Sequence, residues 1–179
     1  MNFPALIQAI QASAPAQWMR TSLAAMPVVE ALHVLAGAVV FGTILIVDLR
    51  LLGFPDTRRP VTRVCKEMLR LTWIAFAVSL TMGVLMFSAN AHTYVGNTAF
   101  RLKMLALLGA GVNMAFFHAV TFRTVGSWDK NMPAPLAARI AGATSILLWV
   151  CVIFFARWIG FTKGFDFKMP VSTHIDFQF

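Results

Sequence analysis

Four apolar stretches, at about 26–47, 71–89, 102–122 and 137–159, dominate the chain. Each is close to the roughly twenty residues that a helix rising 1.5 Å per residue needs to cross ~30 Å of hydrocarbon. Inside a bilayer no water satisfies the backbone, so an isolated span closes its own hydrogen bonds as a helix. With 59% hydrophobic and 12% charged residues, a soluble fold of 179 residues would have no means of hiding its apolar surface. The expectation is an all-α integral membrane protein, a four-helix bundle formed as a single domain over 1–179. Pro27 suits the first turn of its helix. Gly53, Pro55 and Pro60 break the chain after the first span, and Pro133 and Pro135 precede the fourth.

Residues 1–20 carry no basic n-region and no continuous apolar core, which argues against a cleaved signal peptide. Phe3, Leu6, Ile7, Ile10, Ala14 and Trp18 recur at helical spacing opposite Gln8, Gln11 and Gln17, predicting an amphipathic interfacial helix over about 3–18. The two cysteines, Cys65 and Cys151, lie far apart in the chain and do not suggest a disulfide. No nucleophile–base set, phosphate loop or nucleotide fingerprint is present, which speaks against hydrolytic and nucleotide chemistry.

The 15 basic against 7 acidic residues do not form a nucleic-acid surface, because they punctuate the spans as topology signals do. Arg50, Arg58, Arg59, Arg63, Lys66, Arg70, Arg123, Lys130 and Arg139 belong to one side. Arg20, Arg101, Lys103, Arg157, Lys163 and Lys168 belong to the other. Basic residues are retained in the cytoplasm, so both termini are expected on the periplasmic side of a bacterial inner membrane. Trp73 and Trp158 then stand where an aromatic belt would hold them.

Ionisable residues within the spans point to function. Glu30, His33, Gly37, Phe41, Ile44 and Asp48 step by three or four and share a stripe, which must face protein because charge facing lipid is costly. Gly111, Met114 and His118 form a comparable stripe on the third span, with Lys103 on roughly the same side. His33 and Glu30 read either as a hydrogen-bonded pair that orients the helix or as a ligand with its carboxylate partner. His92 ends the neighbouring run on the same side, and Arg101, Lys103 and Arg157 lie at a depth suited to haem propionates. His118 is read as satisfied within the bundle, with Asp48 a partner at similar depth. His174 reads as a solvated surface histidine, and the methionines as apolar filler.

Glu30-Ala-Leu-His33, Asp48-Leu-Arg-Leu-Leu-Gly53, Phe100-Arg-Leu-Lys103 and Arg157 resemble an uncharacterised family of small bacterial inner-membrane proteins, a domain of unknown function. That resemblance spans nearly the whole chain and implies a four-helix inner-membrane fold, with no activity attached. One histidine followed by small residues in a span is also shared with copper-resistance membrane proteins.

An interior histidine, nearby glycine and basic residues at one end match the plan of small b-type cytochromes. The leading expectation is one haem b near the periplasmic face, held by His33 with His92 or a methionine, with Glu30, Gly37, Arg101, Lys103 and Arg157 around it. It would pass electrons between a quinol (quinone) and a periplasmic redox protein. The first alternative is copper on His33, His92 and Glu30. The second is a cofactor-free accessory subunit whose polar stripe meets other subunits of a membrane complex. A periplasm-only reporter should be silent when fused at Arg59 and active at Phe179. Activity at Arg59 would reverse every depth assigned above.

Overall fold

In the computed structural model, which describes residues 3–54 and 57–163, every regular element is helical. Two short helices, α1 (Phe3–Ala12) and α2 (Ala14–Thr21), precede α3 (Ala25–Leu52), α4 (Val61–Ala89), α5 (Ala91–Gly96), α6 (Thr98–Phe116) and α7 (Leu136–Lys163). α6 runs on through a π-helical turn (Phe117–Thr121) and a 3-10 turn (Phe122–Ser127). The four long helices are each long and apolar enough to span a membrane. Their outer faces carry Leu35, Ile74, Leu105 and Leu147, each more than half exposed. In water such a surface would aggregate, whereas in lipid it is solvated.

The amino-terminal segment is two helices rather than the single one expected over 3–18. Pro15 has no N–H to donate and its ring would collide with the carbonyl four residues back, so α1 stops and Pro15 sits in the first turn of α2. α2 lies against the end of α4, where Met19 is buried with Ala25, Val29 and Ala89. Arg20 fixes it there by donating to the carbonyls of Ala89 at 3.0 Å and Gln11 at 2.6 Å. α4 also begins ten residues before the apolar run at 71. The basic residues Arg63, Lys66 and Arg70 therefore stand on helix rather than in a loop, because charge ends a hydropathy signal without ending backbone pairing.

Among the long helices, α3 packs on α4, α6 on α7, and α3 on α7, while α4 and α6 lack comparable packing and touch at one end, where Phe87 stacks on Phe100 with ring centroids 5.7 Å apart. The ring of helices is thus open between α4 and α6. At one end, called here the strap end, α5 bridges that opening. Tyr94 packs with Phe87 and Phe100, and Asn97 both caps α6 and donates to Thr162 Oγ1 of α7 at 2.8 Å.

The opposite, basic end is tied by the Asp48–Gly53 motif. Gly53 adopts φ 91°, its N–H donates to the Arg50 carbonyl and the Phe54 N–H to the Leu49 carbonyl, the pairing of a Schellman cap. Arg50, 4% exposed, points back under this turn. Its Nε donates to the Arg59 carbonyl at 2.7 Å and its Nη2 to those of Thr57 and Asp129 at 3.2 and 3.1 Å. Asp129 in turn caps α4 from outside, accepting from the Thr62 N–H and hydroxyl, both at 2.8 Å. That places a carboxylate at a helix N-terminus, where the macrodipole favours it.

Arg50→Ala should lower stability by about 3 kcal/mol, since it removes charge-assisted bonds to three carbonyls of two connections. Thermal unfolding in detergent measures it, and Arg50→Lys should restore only part, lacking the fork that reaches all three.

Candidate functional site

At the strap end, His33 on α3 faces α4. Its Nδ1 donates to the Ser79 carbonyl at 2.7 Å, and the Ser79 hydroxyl lies 3.2 Å from the same nitrogen. A carbonyl only accepts, so Nδ1 carries the hydrogen and Nε2 of the neutral ring keeps its lone pair. Small residues make this approach possible. A Cβ at Gly83 would stand 3.2 Å from His33 Cε1, and one at Gly37 would meet the Ser79 hydroxyl at 3.8 Å.

The partner of His33 is therefore Ser79 rather than Glu30. Glu30 is exposed and, like half-buried Lys103 of α6, stands within electrostatic reach of His33. Arg101 is exposed and donates to the Gly96 carbonyl at 3.3 Å, while Arg157, also exposed, lies over the Phe161 ring at 5.3 Å. His92 is exposed on α5. Among the described residues no three His, Cys, Asp or Glu side chains are grouped as a metal ion requires, so Glu30, His33 and His92 do not form a closed ligand set. His174 lies outside the described residues.

Toward the basic end, a cavity of about 200 Å³ lies among α3, α4, α6 and α7. Its wall is apolar apart from a few groups, chiefly Asp48, Thr72, Asn113, His118 and Ser145, with the rings of Trp73, Phe76 and Trp149 around them. Asp48 is 5% exposed and takes a hydrogen bond from Ser145, while its Oδ2 has no partner. Close packing puts it there. A Cβ at Gly142 of α7 would come within 3.1 Å of the Asp48 carbonyl oxygen, so any larger residue would press α3 and α7 apart by a few tenths of an ångström. His118 is not paired with Asp48 as expected. Its Nδ1 donates along its own helix to the Met114 carbonyl at 2.9 Å, where the π-helical turn begins. The stripe of Gly111, Met114 and His118 does line one wall of the cavity.

Sequence reasoning picked out His33, Asp48 and His118 by charge within spans. It missed Ser79 and Gly83, although two small residues one turn apart in the second span are a sign of close helix approach. It also missed Ser145 and Gly142, whose roles depend on the pairing of α3 with α7.

Residues 11–162 match DUF6644, a family of unknown function. No curated protein and no solved structure matches the chain.

Tyr94, the only tyrosine of the chain, reports on this end of the bundle. Burial, with a smaller contribution from the Glu30 carboxylate, pushes its phenol from the ordinary 10 up to about 12. The fold thus favours the neutral phenol, and the corresponding stability is full below pH 10 and is lost as pH rises toward 12. An absorbance titration of phenolate should show a midpoint near 12. Glu30→Gln should move it down, and an unchanged midpoint would place Glu30 away from the strap.

Proposed function

The chain belongs to the DUF6644 family, and we propose that it is a membrane redox protein carrying one b-type haem at the strap end for electron transfer between a quinol and a partner outside the membrane. The observation that carries the reading is the state of His33. It is held in an apolar helix interface with Nδ1 committed to the Ser79 carbonyl and Nε2 left as a ligand. Haem-ligating imidazoles are oriented by such a bond from the other nitrogen. Bound haem would supply a one-electron centre, and His33 would be its protein ligand.

The remaining residues fit supporting roles. Lys103, with no hydrogen-bond or ion-pair partner among the described residues, is a cation free to meet a propionate, and Arg101 and Arg157 stand at the same end of α6 and α7. Among the described residues, His92 on the strap is the other imidazole at this end. Gly37 and Gly83 keep the His33 ring close to α4. The basic bias of the opposite end supports a position of this centre on the periplasmic side of a bacterial inner membrane, with both termini on that side.

Protein produced with haem and copper available should show a Soret band that sharpens on reduction. His33→Ala should lose it while the bundle still unfolds cooperatively, and His118→Ala should keep it. A colourless preparation containing stoichiometric copper would replace haem by copper. A colourless, metal-free one would leave the strap end as a surface for other subunits of a membrane complex.

A further inference from the structure

The proposed haem ligand stands about two turns of α3 away from the cavity wall, which begins at Val40, so the cavity calls for an occupant of its own. Its size is informative. An apolar cavity of about 150 Å³ holds one benzene ring, so about 200 Å³ suits a single substituted ring and not a porphyrin.

Its polar groups are informative too. Asp48 lines the space, and its buried Oδ2 lacks a donor. His118 has spent Nδ1 on Met114, leaving an accepting Nε2. Asn113 uses one of its two amide N–H groups on the Ala141 carbonyl at 3.0 Å, and the Thr72 hydroxyl donates to Thr43 or Met68 at 2.8 Å. At Asp48 and His118 the groups left over are acceptors, so a ring that brings its own donors complements them. A buried acceptor without a donor is destabilising, and such a ligand would relieve it.

Access follows from the open ring of helices. α4 contributes Trp73 and Phe76, α6 contributes Leu107, Gly111 and Met114, and the two helices do not seal against each other. A Cβ at Gly111 would meet nothing within 4 Å, so the wall has room there for a flat molecule. Trp73 is 54% exposed although it lines the cavity, which places it at the mouth, facing lipid. A ligand entering by this seam is lipid-soluble.

We propose that this cavity binds the head group of a membrane quinol, whose ring hydroxyls donate to Asp48 and His118 and whose tail leaves between α4 and α6. The choice of a quinol over other ring-bearing diols rests on the electron-transfer reading; the cavity, its unpartnered oxygen and its lateral mouth do not.

Trp73 and Trp149 provide the readout. In haem-free protein in detergent, decylubiquinol should quench tryptophan fluorescence saturably, and its dimethyl ether, which keeps the ring but has no donors, should bind at least tenfold more weakly. Asp48→Asn and His118→Phe, each checked for an unchanged melting temperature, should each weaken quinol binding at least fivefold. Trp73→Phe combined with Trp149→Phe should remove the saturable quench. Equal binding of quinol and ether, a quench that survives the double tryptophan variant, or wild-type affinity in both folded single variants would overturn the proposal. Because haem is absent from this assay, saturable binding by a protein that never takes up haem would sink the haem reading alone. A haem-loaded protein that binds no quinol would sink this one alone.

Discussion

The Arg50 guanidinium is the interaction on which the basic end is built. Two connections meet there, one after α3 and one before α7, and neither has secondary structure to satisfy its carbonyls. Arg50 reaches Thr57, Arg59 and Asp129 at once from the last turn of α3. Its reach depends on the Gly53 cap, which turns the chain back over it. Asp129, held from one side by Arg50, holds the start of α4 from the other. One side chain thereby ties the end of α3 to the connections that lead into α4 and α7. A lysine would offer one point of attachment where a planar fork offers several.

The same motif sets the depth of Asp48. With α3 fixed at its end, the Gly142 contact brings α7 against the backbone of Asp48, and Ser145 one turn along reaches its carboxyl. Below the cavity, Leu51, Val61, Cys65, Phe117, Trp128 and Ala138 close the floor. The cavity is therefore built by the anchor at the basic end rather than left over from poor packing. The strap end is built differently, from an aromatic cluster and from small residues that let His33 approach α4 closely.

The spans were legible in the sequence because lipid demands a length of apolar helix, and the length is visible residue by residue. The extension of α4 back to Val61 was not, since Arg63, Lys66 and Arg70 interrupt hydropathy while pairing normally within the helix. The break at Ser13 followed from Pro15 once helix termination was taken as literally as in the later loops. Within the spans, an ionisable residue announces itself, but its partner does not. Glu30 was the nearest carboxylate to His33 along the helix, yet the bond went across to a backbone carbonyl, which no sequence displays. His118 and Asp48 share a cavity without sharing a bond for the same reason: equal depth on two helices does not fix the rotation of either.

The marginal contact between α4 and α6 also has a mechanical meaning. The long helices form two hairpins, α3 with α4 and α6 with α7, and the line where α3 meets α7 is the spine that joins them. Each hairpin is packed more extensively within itself than the two are against each other along that line. The aromatic strap at one end and the Arg50–Asp129 tie at the other act as clasps across the covers. Between them, the bundle has a fore-edge that is clasped at both ends and unsealed at mid-height.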